Sequence, residues 1–164
     1  MIQVVQLTTS TTGLRADAQV VWITPRPPSE RVPRGARILR VSVTGGLATK
    51  RPQQRPFTVH ASSKIEAIVA LLNALPAAQP GLVHCPVDFG IRVWLTFYAA
   101  RQLPPLAVAY VNTSGCQGVR LTINRRPQAP LESYLPDGAY LLDRIDRVLG
   151  VRLNVIPARL RTTY

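Results

Sequence analysis

Two cysteines and two histidines have the widest chemical reach in this chain. Cys85 sits in Val83-His84-Cys85-Pro86-Val87-Asp88-Phe89-Gly90, Cys116 follows Ser114-Gly115, and His60 stands alone. Such a set supports three chemistries: a disulfide, a zinc site and a cysteine nucleophile. Zinc would draw on Cys85, Cys116, His60 and His84. Yet no C-x-x-C or H-x-x-x-H spacing occurs, and adjacent His84 and Cys85 point to opposite faces of an extended segment. A cysteine nucleophile needs a nearby histidine and a third group to orient it, and no motif ties His60 to either cysteine. A disulfide needs only that the two segments meet. No metal or other cofactor is expected.

Carboxylates offer little more. Of the eight acids, Glu66 reads as part of a helix cap, and Asp143 and Asp146 lie on a solvated helix face. Asp88 fits a turn former bonded to backbone amides near Gly90, and Asp137 fits a helix N-cap. A small hydrolase would require a cleft around Asp88, His84 and Glu132. No glycine-rich phosphate loop, nucleophile elbow or metalloprotease motif is present. The expectation is a non-catalytic protein with no catalytic residue to name.

The elements that would position the cysteines are strands. Ile91 to Tyr98 alternates strictly, is rich in β-branched and aromatic residues, and predicts a central strand with Ile91, Val93, Leu95 and Phe97 on the core side. After Gln102-Leu103-Pro104-Pro105 comes a second strand, Leu106 to Val111, and then a third, Val119 to Ile123. In such a meander the start of the first strand lies beside the end of the second, so Cys85 and Cys116 meet. Their bridge closes a loop of about 30 residues, worth about 3–4 kcal/mol in the chain-entropy model.

Around the meander, Ile38 to Thr44 alternates as a further half-buried strand, and Phe57-Thr58-Val59 is a short extended piece. Ser63-Lys64-Ile65-Glu66 has the form of a capping box opening a helix over Lys64 to Leu75, whose core stripe is Ile65, Ile68, Val69, Leu72 and Leu75. A second helix over Ala139 to Leu149 turns Leu141, Leu142, Ile145, Val148 and Leu149 inward, with Gly150 as its natural end. Val151 to Val155 alternates as a short closing strand. At the N-terminus, Ile2 to Leu7 and Ala18 to Ile23 flank the polar segment Thr8 to Asp17 as a hairpin. Pro25, Pro27, Pro28 and Pro33 then make an extended linker. The predicted organisation is residues 1–36 as ribbon and linker and 37–164 as an α+β domain: an antiparallel sheet packed by two helices.

At 164 residues the chain suffices for one full core, and 46% hydrophobic residues exclude a disordered class, although 15 prolines require many loops. Its net charge is +12, and Lys50 and Lys64 are the only lysines among 20 Lys and Arg residues. Arginine grips phosphate and carboxylate bidentately, so an anionic surface or polymer, a protein partner or nucleic acid are the partner classes. The arginines are nonetheless scattered, with modest groups at Arg31, Arg34, Arg37 and Arg40, at Arg125 and Arg126, and at Arg159 and Arg161. The wealth of Ala, Arg, Pro and Val also fits a GC-rich coding sequence. The best binding candidate is the outer face of the meander, where Arg92, Trp94, Thr96 and Tyr98 alternate with Arg120, Thr122 and Asn124 two strands away. Either a helix covers that face or it stands open.

Met1 to Leu7 is too short and too polar for a signal peptide, and no run approaches the length of a transmembrane segment. The succession Leu72-Asn73-Ala74-Leu75-Pro76, Cys85-Pro86-Val87-Asp88-Phe89-Gly90, Leu95-Thr96-Phe97, Gly115-Cys116, Leu141-Leu142 and Leu149-Gly150 resembles small secreted proteins and lipoproteins of actinobacteria and related GC-rich bacteria. The resemblance spans roughly residues 38–150 and implies export, with any signal or lipid anchor outside this sequence; no activity comes with it. The expected function is a non-catalytic extracytoplasmic domain stapled by Cys85–Cys116. The alternative is a cytoplasmic, arginine-rich nucleic-acid-binding module that uses the same sheet face.

Overall fold

Alternation of β-branched and aromatic residues with polar ones creates the sheet on which the rest is built. The computed structural model describes residues 2–6, 8–16, 25–45, 55–79, 85, 87–116 and 118–153. Its strands are β1 (Ile2–Gln6), β2 (Thr12–Ala16), β3 (Ile38–Thr44), β4 (Phe57–Val59), β5 (Arg92–Tyr98), β6 (Ala107–Asn112), β7 (Val119–Ile123) and β8 (Arg126–Pro127). Its helices are α1 (Ser62–Ala74) and α2 (Leu141–Leu149). β4-β3-β5-β6-β7-β8 form one antiparallel six-stranded sheet, and β1 pairs only with β2 in a separate ribbon. The fold is α+β, as the alternation and the two helical stripes predict.

One face of the sheet is dry. Leu39, Val41 and Val43 of β3, Val93, Leu95 and Phe97 of β5, Ala107, Ala109 and Val111 of β6, and Val119, Leu121 and Ile123 of β7 join Ile65, Ile68 and Leu72 of α1 and Leu141, Leu142 and Ile145 of α2 in a single buried cluster. Each Leu or Ile buried there stabilises the fold by about 1.5–3 kcal/mol. Truncating Leu95 to Ala at the centre would cost about 2–5 kcal/mol, because the cavity left behind cannot collapse between sheet and helices. Leu131 extends the core beside β7, where its backbone pairs with Val119 and with Ala77.

The local ends follow backbone chemistry. α1 stops before Pro76, which forces Leu75 into an extended conformation (φ −64°, ψ 133°). α2 ends at Gly150 in the left-handed region (φ 75°), whose N–H donates to the Asp146 carbonyl at 2.8 Å. Between β7 and β8, Asn124 (φ 46°) and Arg125 (φ 65°) are both left-handed, the signature of a tight two-residue hairpin.

Several local expectations are corrected. α1 starts one residue before the Ser63 cap, with Ala61 at the N-cap and no side-chain cap bond, so the Ser63–Glu66 box does not form. Asp137 does not cap α2, whose N-cap is Tyr140; it accepts instead from the Ala139 N–H two residues on. Residues 151–153 form no strand; Leu153 is buried and its N–H donates to Asp146. The return strand of the ribbon is Thr12–Ala16, inside the segment expected to be its loop. Ala18 to Ile23, Asn154, Val155, Arg159, Arg161 and His84 lie outside the described residues.

The proline-rich segment carries one 3-10 turn, Pro28–Glu30, and is pinned to α1. Asn73 accepts from the Val32 N–H at 2.7 Å and donates to the Val32 carbonyl at 3.1 Å. The buried Arg26 guanidinium donates to the Leu72 carbonyl at 2.7 Å, one of the carbonyls that a helix end leaves without an internal partner. Burial pulls the Arg26 pKa below its ordinary value, with nearby Glu30 opposing that effect.

Candidate functional site

Antiparallel register stacks the outward residues of the sheet into rows. Ser42, Trp94, Tyr110 and Arg120 lie side by side across β3, β5, β6 and β7, and the next row holds Thr58, Arg40, Thr96, Val108 and Thr122. On the other side of the aromatic row come Thr44, Arg92 and Asn112. Every helix core residue belongs to the opposite side of the sheet, so among the described residues no helix packs on these rows. Trp94, Tyr98 and Tyr110 are half-buried, and Arg40 and Arg120 are exposed.

The centre of this face is an aromatic pair. The Trp94 and Tyr110 rings meet at 4.9 Å between centroids with 43° between planes, a tilted contact worth about 0.5–1.5 kcal/mol beyond its area. Trp94 Nε1 donates to Thr44 Oγ1 at 2.8 Å. That bond fixes the indole and leaves its ring, not its N–H, for a ligand. Tyr98 sits two rows along β5 from Trp94, opposite Ile38. Sequence reasoning misses Tyr110 and Val108, and it places Arg40 in an arginine group without assigning it to this face. Their signal was the same alternation that marked Trp94, read on the flanking strands.

Arg92 has a different role at the rim. Its Nη1 donates to the Gly90 carbonyl at 3.0 Å and its Nη2 lies 3.4 Å from Asp88 Oδ2. Asp88 Oδ1 accepts from the Gly90 N–H at 2.7 Å and from Ser114 Oγ at 2.9 Å, while Ser114 Oγ accepts from the Phe89 N–H at 2.8 Å. The Gly90 amide above all holds the Asp88 carboxyl below the usual carboxylate range; burial opposes it, and Ser114 and Arg92 add to the lowering. Asp88 is the turn former that its Pro-x-Asp-x-Gly setting predicts.

The disulfide Cys85–Cys116 joins these same two loops, with 4.8 Å between Cα atoms, inside the usual bridging range. Both cysteines are exposed. Their sulfurs are committed to each other, which removes them as zinc thiolates or as a resting nucleophile. His60 is exposed just before α1. Glu132 accepts from the Gln79 N–H at 3.2 Å, a backbone-holding task. No match to this chain is found among protein-family models, curated proteins or solved structures.

A cleft of about 510 Å³ opens on the other side of the molecule's core, between residues 32–37 and α1. Ile65, Val69 and Ala70 contribute its apolar wall, and Arg34, Arg37 and Glu66 its charged lining. No helix among the described residues is long and apolar enough to cross a membrane.

Proposed function

We propose that this chain is a non-catalytic extracytoplasmic binding domain whose ligand lies on the outward face of the sheet. The observation that carries the reading is the row Trp94–Tyr110–Arg120, an apolar centre next to a guanidinium on a face that neither helix shields. Half-buried aromatic rings beside an exposed arginine on a rigid sheet give contact area at small entropic cost, and interfaces are enriched in both. The Cys85–Cys116 bridge supports the compartment, since disulfides persist where the environment is oxidising. The resemblance to secreted actinobacterial proteins points the same way.

The test is cosedimentation of the oxidised chain with a purified actinobacterial cell-wall preparation, run beside a Trp94→Ala/Tyr110→Ala variant. Binding by the parent chain and its loss in the variant supports the reading. Equal sedimentation of both would move the ligand off this face, and release of soluble wall fragments would make the protein an enzyme. An intracellular nucleic-acid module draws on the same face, because bases also stack on aromatic rings. Alkylation of both cysteines without prior reduction, in protein isolated from its native cell, would favour that second reading.

A further inference from the structure

The sheet face is selective in charge. Strands β3, β5, β6 and β7 carry no Asp or Glu. The acid at the rim, Asp88, is already engaged by the Gly90 amide, Ser114 and Arg92. Arg40 and Arg120 are exposed and, among the described residues, have no carboxylate partner. They stand at opposite corners of the aromatic pair, Arg120 beside Tyr110 and Arg40 one row away on the far side of Trp94. Three strand spacings and one two-residue step put their Cα atoms about 16 Å apart.

Resting on the sheet-face reading, we infer that the ligand is an acidic polysaccharide lying across the strands, with a sugar ring on Trp94 and Tyr110 and carboxylates at Arg40 and Arg120. The C–H face of a pyranose packs on an aromatic ring, and Thr96, Thr122 and Ser42 surround the pair with hydroxyl groups suited to sugar hydroxyls. Guanidinium takes carboxylate in a two-bond fork. Two features favour this ligand over a nucleic-acid strand. The Trp94 and Tyr110 rings are in contact with each other and offer one joint aromatic surface, whereas successive bases need separate stacking platforms. The two unpaired cations are far apart, which suits a polymer with a carboxylate on some of its sugars better than a phosphate at every nucleotide.

Affinity electrophoresis of the oxidised full chain through gels containing polygalacturonate, dextran or oligothymidylate tests the inference. Retardation by polygalacturonate alone is expected, weakened roughly tenfold by Arg40→Gln or by Arg120→Gln. Both side chains are exposed, so these variants keep the fold. Arg34→Gln/Arg37→Gln, in the cleft beside α1, should leave retardation unchanged. Equal retardation by dextran overturns the acidic class, and the sheet face itself survives if Trp94→Ala abolishes that binding. Tighter retention by oligothymidylate overturns it in favour of nucleic acid. Retardation by polygalacturonate that survives Arg40→Gln, Arg120→Gln and Trp94→Ala but not Arg34→Gln/Arg37→Gln overturns both the inference and the sheet-face reading. Absence of retardation by polygalacturonate overturns the inference alone, the face being judged by cosedimentation.

Discussion

Ser114 donates its hydroxyl hydrogen to Asp88 Oδ1 at 2.9 Å and accepts from the Phe89 N–H at 2.8 Å. One buried hydroxyl thus ties the loop before β5 to the loop after β6, beside the Cys85–Cys116 bridge that joins the same two segments. Ser114→Ala leaves the Phe89 amide without this acceptor and removes a charge-assisted bond. A loss of about 2 kcal/mol is expected, read as a lower denaturant midpoint at unchanged slope.

The Asp88 carboxyl binds protons more weakly in the folded chain than in the unfolded one, chiefly because of the Gly90 amide. Its contribution is therefore fully present above the pH where the unfolded carboxylate ionises, near 4, and fades as pH falls through the lower folded value. Asp88→Asn keeps an oxygen acceptor for Gly90 and Ser114 but loses the titration. Stability measured from pH 6 down to pH 2 should fall less steeply in this variant than in the parent chain.

Removing the bridge with Cys85→Ser/Cys116→Ser releases a sequence separation of 31 residues. The chain-entropy model puts the loss at about 3–4 kcal/mol. The β5–β6 ladder and the Asp88–Ser114 contact remain, so far-UV circular dichroism should be kept while the unfolding midpoint drops. Intact mass after alkylation, with and without prior reduction, checks the bridge itself.

Gly45 closes β3 in the left-handed region (φ 87°), and a Cβ there would run into the Gly90 carbonyl. The clash is with backbone, which no rotamer change relieves. Gly45→Ala should destabilise the chain by more than about 2 kcal/mol, through the backbone conformation and through separation of β3 from the start of β5. Gly35→Ala is the matched control, with a similar φ of 96° and open space around it, and should cost about 1–2 kcal/mol. Thermal unfolding of the two variants separates clash from conformation.

Residue pattern alone determined the meander, the strand before it, the two helices and the meeting of the two cysteines. Alternation along Ile91 to Tyr98 and the stripes in the two helices name a buried face directly, because side-chain period 2 or 3.6 must match one dry side. A meander of such strands brings Cys85 to Cys116 by turn geometry, and Asp88 two residues before Gly90 is a turn written locally. The capping box failed since Ser63 lies within the first turn of α1, whose start is set by how its apolar stripe seats on the sheet. Tertiary structure alone decided that Asn73 and Arg26 hold the proline-rich segment to α1, that Ser114 serves Asp88, and that Tyr110 lies against Trp94. Each of these joins residues far apart in sequence or on different strands, where partner and register follow from packing of the whole core and leave no periodic trace in the chain.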